Sequence, residues 1–279
     1  MRVFETSKSL VEHLSKETRP IGMVPTMGAL HLGHLSLIKR AVEENKTVLV
    51  SIFINPTQFE DKTDLERYPV NIRKDFHLMR KISNDIIVYV PKANDVYGNI
   101  VKSKSFDLGG LDKVMEGEKR TGHFQGVATV VTHFLRKFSP DHAYFGEKDF
   151  QQLVIICYIT SSLNLKTKII GCPTIRESDG LAMSSRNILL STDHRKLASK
   201  LFEGLKFAKS NAKKFPYKTL KKLVIDFFKN QTEFKLDYFK ITDPETLKEI
   251  DLEKISDGGR GFIAAYLGKI RLIDNLDMS

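Results

Sequence analysis

The segment from Ile21 to Arg40 constrains the fold of this chain more than any other. It begins as a short apolar strand, Ile21 to Val24, passes through the turn of residues 25–28, and continues as a helix with His31 and His34 near its start. A strand that enters a helix through a glycine-containing turn is how an α/β sheet builds a phosphate site, since the first N–H groups of the helix attract anions. The histidines are three residues apart and project from one helix face. The segment therefore predicts an anion site beside the sheet.

Strands and helices alternate through the first part of the chain. Four further apolar segments are predicted as strands: Lys46–Asn55, Asp85–Pro91, His142–Gly146 and Lys166–Thr174. Five segments with helical periodicity are predicted as helices: Ser7–Lys16, His34–Glu44, Asp64–Ile82, Gly126–Phe138 and Lys148–Asn164. Strands that are apolar on both faces are typical of parallel sheets. The pattern predicts an α/β fold, a Rossmann-like doubly wound parallel sheet whose ligand crevice lies at the carboxyl ends of the strands.

A glycine-rich, charged segment from Lys104 to Gly126 separates two of these elements. We predict a long loop over the sheet edge, and loops of that length in compact domains are usually functional.

The pattern changes after Ile175. An irregular polar stretch is followed by two lysine-rich helices, about Thr192–Lys213 and Tyr217–Asn230, and then by three strand candidates at 235–243, 260–268 and 269–276. Helices followed by antiparallel strands indicate a separate, smaller α+β domain. We therefore predict two domains, 1–175 and 176–279.

The net charge of +10 is concentrated in one segment. The segment from His194 to Lys229 contains eleven lysines and arginines but only two acidic residues, Glu203 and Asp226. In the rest of the chain the numbers of basic and acidic residues are nearly equal. The lysines alternate with apolar residues as on an amphipathic helix, so we interpret them as a solvated face. Attraction of a polyanion or of anionic substrates is the alternative.

Composition also excludes several classes of protein. The chain is 41% hydrophobic, enough for a core, but no apolar run approaches the about 18 residues that span a bilayer. We expect no membrane helix and no export signal. Cys157 and Cys172 are the only cysteines and have no metal-ligand spacing, which favours a cytoplasmic protein without disulfides or zinc. Cys157 lies in an apolar run and is predicted to be a core residue.

Two common phosphate motifs are absent, because there is no GxxxxGK[ST] loop and no GxGxxG at the first helix. The first strand–helix junction carries HxGH instead, with Gly33 leaving space beside the backbone.

Five segments together resemble a known family. "PTMGALHLGH" is similar to the HIGH-type signature of the nucleotidylyltransferase superfamily, and "MSSRN" at 183–187 is similar to its KMSKS-like partner. With "FINPTQF", "GHFQGVATVV", "FGEKDFQQL" and "DGLAMSSRN" in the same order, residues 25–187 resemble the pantothenate synthetase (pantoate–β-alanine ligase) family.

The resemblance implies an enzyme with a two-step reaction. Pantoate would attack the α-phosphate of ATP to give pantoyl adenylate and pyrophosphate, and β-alanine would then displace AMP to form the amide of pantothenate. It implies ATP as a substrate, Mg²⁺ as its companion ion, a cytoplasmic homodimer, and neither a nucleic acid nor a membrane as partner.

The resemblance also implies which residues bind ATP. The whole implied set is Met27, Gly28, Ala29, Leu30, His31, Leu32, Gly33, His34, Gly146, Glu147, Lys148, Asp149, Ile175, Met183, Ser184, Ser185 and Arg186. Of these, His31, His34, Lys148, Ser184, Ser185 and Arg186 would be catalytic. His34 would be the proton donor, and a hydroxyl pair beside an arginine suits phosphate oxygens.

Pantoate combines a carboxylate and hydroxyls with a gem-dimethyl group, so its site needs polar and apolar sides. By resemblance, Gln58 and Gln152 would bind pantoate, and an amide can both donate to and accept from a hydroxyl. Gln58 would also meet β-alanine. The other implied neighbours are Pro25, Met27, Asn55, Phe59 and His123. Asp75 is a candidate magnesium ligand by its position. The loop at 102–122 and the C-terminal domain are candidate lids, because the loop is long and Arg186 lies at the domain junction.

Two alternatives remain open. Another HIGH-type nucleotidylyltransferase would share the HxGH junction but would not need both glutamines. A non-enzymatic polyanion-binding protein would use the basic helices and would bind nucleic acid with a strong salt dependence.

Overall fold

The structure, a computed structural model, describes residues 1–59, 62–250 and 258–279. The chain divides into two units. The first comprises Met1–Glu147 and Gln151–Pro173, and the second comprises Lys148–Phe150 and Thr174–Ser279. The second unit thus begins two residues before Arg176, the predicted start of the second domain, and includes a three-residue segment from far upstream.

The first unit alternates strands and helices. Its strands are β1 (Arg2–Phe4), β2 (Ile21–Thr26), β3 (Thr47–Ile52), β4 (Ile87–Tyr89), β5 (His142–Gly146) and β6 (Lys168–Cys172). Its helices are α1 (Ser7–Leu14), α2 (Leu32–Glu44), α3 (Lys62–Arg67), α4 (Ile72–Arg80), α5 (Ala93–Tyr97), α6 (Met115–Lys119) and α7 (His123–Phe138), and α8 (Phe150–Ser162) begins at the last residue of the 148–150 segment.

The strands form one six-stranded sheet in the order β1-β4-β3-β2-β5-β6, and every pairing is parallel. From β2 the chain moves to β3 and β4 on one side and later returns to β5 and β6 on the other. The order therefore reverses beside β2, and ligand crevices of doubly wound sheets lie at such a point. The predicted α/β class with a Rossmann-like sheet is confirmed.

Alternate residues of the central strands enter two separate cores, because successive side chains of a strand point to opposite faces. Val48, Val50 and Ile52 of β3 pack with Ile38 of α2 on one face. Leu49 packs on the other face with the α1 and α7 residues Leu10, Phe134 and Phe138. All six residues of β3 are buried, the polar Thr47 and Ser51 among them, as expected for a strand that is covered on both faces of a parallel sheet.

Several element predictions were incomplete. The helix predicted over 64–82 is two helices, α3 and α4, because Pro69 cannot continue the hydrogen-bonding pattern of a helix, and Asn71 caps α4. The segment 104–126 is not one long loop, since it contains α6 and the start of α7. The three-residue strand β1 and the five-residue helix α5 were not predicted, and elements this short show little periodicity.

The second unit continues with helices α9 (Thr192–Leu197), α10 (Lys200–Asn211) and α11 (Tyr217–Lys229), followed by strands β7 (Phe234–Thr242), β8 (Arg260–Leu267) and β9 (Ile270–Asp277). The single helix predicted over 192–213 is thus α9 and α10. The strands form an antiparallel sheet in the order β7-β8-β9. Leu205 of α10 and Phe228 of α11 pack with Ile263 of β8 in one core. This is the predicted small α+β domain.

The prediction for Cys157 was wrong. The side chain is exposed, whereas Ile155, Ile156 and Ile159 of the same helix are buried. Helix α8 is apolar on most sides, so hydrophobicity alone does not tell which face is covered.

Within the ranges 1–59, 62–250 and 258–279, no helix is long and apolar enough to cross a membrane.

Candidate active site

Residues implied by the family motifs follow the carboxyl ends of four strands of the sheet. Met27 comes directly after β2, the polar segment 55–58 follows β3, Gly146 ends β5, and Ile175 follows β6. Loops at this edge carry the ligand site of doubly wound folds.

The turn after β2 is held by side chains of the protein itself. The Thr26 hydroxyl donates to the Ser51 carbonyl (2.7 Å) and accepts from the Gly28 N–H (3.2 Å). The Ala29 and Leu30 N–H groups donate to the two carboxylate oxygens of Asp75 (3.0 and 2.7 Å). Most N–H groups of this turn are therefore engaged inside the protein, unlike those of a loop that cradles phosphate with its backbone.

Asp75 shapes this turn. Its side chain comes from α4, is 1% exposed, and spans the turn with both oxygens. Burial raises the pKa of Asp75, and the two N–H bonds oppose that shift. The turn contains Gly28 at φ +80° and Ala29 at φ +49°, a conformation that an alanine rarely adopts.

These contacts bear on the predicted magnesium ligand. Across the described residues there is no group of three or more histidines, cysteines or acids that could hold a metal ion. With both Asp75 oxygens bonded to backbone N–H groups, the geometry favours a role in holding the turn.

The next two predicted residues open helix α2. His31 is the N-cap residue, and its Nδ1 accepts from the Gly33 N–H at 3.1 Å. A neutral imidazole that accepts at Nδ1 carries its proton on Nε2, so this hydrogen bond assigns His31 as an Nε2 donor. The His31 and His34 ring centroids are 4.1 Å apart. His31 thus caps the first turn of α2, and the His34 ring lies beside it.

Asn55 and Gln58 are joined to Met27 after β3. The Asn55 Nδ2 donates to the Gln58 Oε1 and to the Gly126 carbonyl, both at 3.1 Å, and Gln58 Nε2 lies 2.8 Å from Met27 Sδ. The Tyr97 hydroxyl donates to Asn55 Oδ1, and Asn55 is 1% exposed. Gln58 is thereby oriented by a buried amide.

Helix α7 and the residue Arg120 before it support the segment that carries Asn55 and Gln58. His123 Nδ1 hydrogen-bonds the Gln58 carbonyl at 2.7 Å, and Arg120 Nη1 lies 3.1 Å from His123 Nε2. Since arginine only donates, Nε2 accepts and Nδ1 carries the proton. A Cβ at Gly126 would clash with the Thr57 carbonyl oxygen, so glycine permits the close approach of α7 to the 56–58 turn. The structure brings the predicted residues Met27, Asn55, Gln58 and His123 together.

Two neighbouring glutamines on α8 differ in their contacts. Gln151 Nε2 donates to the Leu111 and Val114 carbonyls, both at 2.8 Å, and Gln151 Oε1 accepts from the Glu116 N–H at 3.0 Å. Gln152 is half-buried, and its side-chain amide makes no hydrogen bond to any residue that the structure describes. The predicted Gln152 thus has its amide available for a ligand.

The bonds of Gln151 also bear on the predicted lid at 102–122. That segment buries Leu108, Leu111 and Met115 and is held by Gln151. Such anchoring does not suit a segment that opens and closes.

The second unit holds its predicted residues on a hairpin. The Met183 N–H donates to the Ile175 carbonyl at 3.0 Å, and Arg176 pairs with Ala182. Ser184 caps the next turn by accepting from the Arg186 N–H at 3.2 Å. Ile175 and the Met183–Arg186 segment are thereby parts of one local structure.

Lys148 and Asp149 belong to the second unit as well. Lys148 Nζ lies 3.7 Å from Asp149 Oδ1, and the lysine side chain is 19% exposed. The Lys148 carbonyl accepts from the side chain of Asn275 on β9 at 2.9 Å. Asn275, Gln151, Tyr97 and Arg120 were not predicted, because each acts through a tertiary contact with no local sequence signal.

Comparison with known proteins identifies the family. A profile described as pantoate-beta-alanine ligase matches residues 2–277. The chain belongs to the pantoate–β-alanine ligase family. It is 46% identical to the pantothenate synthetase of Christiangramia forsetii over 282 residues, covering 100% of both chains, and 42% identical to that of Flavobacterium psychrophilum, again with full coverage.

Solved pantoate–β-alanine ligases share the fold. The pantothenate synthetase of Thermus thermophilus matches with a TM-score of 0.92 and 37% identity, covering 100% of this chain and 99% of that one. The pantoate-beta-alanine ligase of Francisella tularensis, complexed with beta-gamma ATP and beta-alanine, matches with a TM-score of 0.81, 35% identity and coverage of 100% and 98%. The chain is therefore an enzyme of pantothenate formation, as its sequence motifs predicted.

Proposed function

We propose that this chain condenses (R)-pantoate with β-alanine at the expense of ATP, through a pantoyl-adenylate intermediate. A carboxylate oxygen of pantoate attacks the α-phosphorus and pyrophosphate leaves. The amine of β-alanine then attacks the acyl carbon, the acyl–phosphate bond breaks, AMP leaves and the amine loses a proton. The observation that carries this proposal is the family match over residues 2–277.

The first step joins two anions, so donors must neutralise the developing charge. A cation 4 Å from a phosphate oxygen in a partly dry site contributes about 4 kcal/mol. In this proposal Lys148 and Arg186 supply the cations, Ser184 and Ser185 supply hydroxyl donors, and His34 is the proton donor. His31 donates through Nε2, which its bond to Gly33 supports.

We assign adenine and ribose contacts to Ile175, Gly146 and Asp149. The turn of residues 27–30 shapes the floor of the nucleotide site, and its positive-φ residues are consistent with that task. Since its N–H groups are largely engaged by Thr26 and Asp75, the phosphates meet chiefly side chains.

Gln58 and Gln152 bind pantoate in this proposal, with Met27 and Pro25 on the apolar side. Support comes from the hydrogen bonds that orient Gln58 through Asn55 and His123 and from the available amide of Gln152. Gln58 also meets β-alanine in the second step. A nucleotidylyltransferase for another acceptor would not need this paired arrangement.

Mg²⁺ accompanies ATP in this proposal, and phosphates and water supply its ligands. The described residues contain no cluster of three or more metal-ligating side chains, and in this proposal no reaction step depends on an ion that the protein itself holds. A cytoplasmic homodimer is proposed on the family resemblance alone.

Pyrophosphate exchange tests the proposal. Purified protein with Mg-ATP is expected to exchange labelled pyrophosphate into ATP only when pantoate is present, and to release AMP in quantity only when β-alanine is also added. Exchange without pantoate would favour another nucleotidylyltransferase, and absence of exchange under all conditions would reject adenylate formation.

A further inference from the structure

Two adjacent residues of β9 connect separate segments of the second unit. Asp274 and Asn275 are each 3% exposed. Asn275 contacts the turn that contains Lys148, and Asp274 contacts the hairpin that runs from Ile175 to Met183. Both contacted segments carry proposed ATP ligands.

Asn275 fixes the backbone of Lys148. Its Nδ2 donates to the Lys148 carbonyl at 2.9 Å, and its Oδ1 accepts from Arg260 Nε at 2.6 Å. The Arg260 guanidinium lies 3.7 Å from the centre of the Phe150 ring, two residues after Lys148. The turn is therefore held to the sheet by an amide on one side and a stacked guanidinium on the other.

Asp274 fixes the hairpin through Arg176. The two side chains form a bidentate pair with distances of 2.6 and 3.0 Å. Arg176 also donates to the Gly180 carbonyl at 3.1 Å, inside the hairpin turn, and to the Asn275 carbonyl at 3.4 Å. Its guanidinium lies 3.6 Å from the centre of the Phe202 ring.

A contribution to folding stability does not explain well why Arg176 and Asp274 form a buried ion pair. Burying two charges costs desolvation energy that their attraction often fails to exceed, and an apolar replacement is frequently neutral. A bidentate pair does define orientation, because the fork of arginine matches a carboxylate in one geometry. The contacts therefore point to placement of the two segments.

We propose that Asp274 and Asn275 are positioning residues for ATP, holding the Lys148 turn and the 175–186 segment in one fixed arrangement. Neither residue needs to touch the substrate. This inference rests on the proposed function, since it assumes that Lys148 and Arg186 meet the triphosphate. It assigns to the C-terminal sheet a role in nucleotide binding.

Two variants test the proposal. Asp274→Asn removes the charge from the pair with Arg176, and Asn275→Ala removes the donor to Lys148. Asp237→Asn is the matched control for the first, because Asp237 accepts from Arg271 Nε and Nη2 at 3.1 and 2.9 Å in the same sheet. Asn211→Ala is the control for the second, because Asn211 donates to the Phe207 carbonyl at 2.9 Å within α10.

The measurements are the ATP affinity by titration calorimetry without pantoate, the KM values for ATP and pantoate, and the melting temperature. Both variants are expected to weaken ATP binding and raise the ATP KM about tenfold, the size of a typical lost charge-assisted contact, while the pantoate KM stays within about twofold. The controls are expected to keep ATP affinity at the wild-type value even where they lower the melting temperature.

Equal losses of ATP affinity in variants and controls, or parallel changes in both KM values that follow the melting temperature, would overturn the positioning role. Failure of the proposed function has a different signature, because wild-type protein itself would then lack pantoate-dependent exchange.

Discussion

Asparagine in place of Asp75 is expected to disturb the turn after β2. The carboxylate accepts from Ala29 and Leu30 N–H groups, whereas an asparagine amide presents only one acceptor and faces the other N–H with a donor. A buried N–H without a partner costs about 1–3 kcal/mol. We expect a loss of that size in the free energy of unfolding by urea, together with an ATP KM raised at least tenfold.

Two comparisons separate this role from metal binding. Asp107→Asn is the control, because Asp107 accepts one N–H, from Gly109 at 2.9 Å, in an exposed turn of the same unit. The second comparison is a magnesium titration of enzyme activity at saturating ATP. Recovery of Asp75→Asn activity at high Mg²⁺ would show that the carboxylate serves as a metal ligand after all.

Alanine at His34 or Lys148 is expected to depress pantoate-dependent pyrophosphate exchange at least about 100-fold, because each removes a donor to developing charge. His34 is near the first turn of α2, and the Lys148 side chain is 19% exposed, so the melting temperature is expected to change little. A variant that instead unfolds would identify its side chain as structural.

At the scale of elements, the packing of α7 on the 56–58 turn sets the position of Gln58. Gly126→Ala places a Cβ against the Thr57 carbonyl, so the turn or the helix must shift. We expect the pantoate KM to rise at least about fivefold, since misplacement of a binding group by a fraction of an ångström weakens its contacts. Gly204→Ala is the control, because its Cβ would meet the Phe228 side chain at 2.6 Å in the second unit. The control should lose stability but keep its pantoate KM.

The 175–183 hairpin carries a pH-dependent contact. Its Asp179 accepts from Arg195 Nη1 at 2.5 Å, and this bond lowers the pKa of Asp179 below its ordinary value. A carboxyl whose pKa is lower in the folded state stabilises the fold fully above the unfolded pKa of about 3.9, and that stabilisation is lost as the pH falls through the folded pKa.

Asp179→Asn therefore tests this contact through its pH dependence. The side chain is 34% exposed, so we expect less than about 1 kcal/mol of lost unfolding free energy at pH 7. The difference from wild type should shrink as the pH is lowered below 4. Asp193→Asn, in an ion pair whose carboxylate is 87% exposed, is the control. A difference that stays constant with pH would assign the effect to the amide rather than to the lost charge.

At the scale of the whole molecule, the sequence predicted the elements with strong patterns, and its motifs supplied candidate site residues whose roles stay predictions. The mostly apolar sequence of β3 predicted a buried parallel strand. The positions of Met27 after β2 and of Gln58 after β3 predicted that both lie at the carboxyl edge of the sheet. The role of Asp75 could not be predicted in this way, because it depends on a contact with a residue 45 positions earlier. The exposure of Cys157 depends on which face of a mostly apolar helix is covered, which is also a tertiary property.

The basic face of the second unit supplies the last prediction. Lys209 of α10 is exposed while Leu205 and Ala208 of the same helix are buried, as predicted for an amphipathic helix. Lys213 and Lys214 are exposed just after the helix ends at Asn211. If this face is only solvated surface, replacing the three lysines by glutamine should leave kcat and both KM values within about twofold at 0.15 M salt, where charges beyond about 8 Å are screened. Retention on heparin should fall. An ATP KM that rises severalfold in the variant at low salt, and converges with wild type at high salt, would instead show that the face attracts the anionic substrate before it reaches the site.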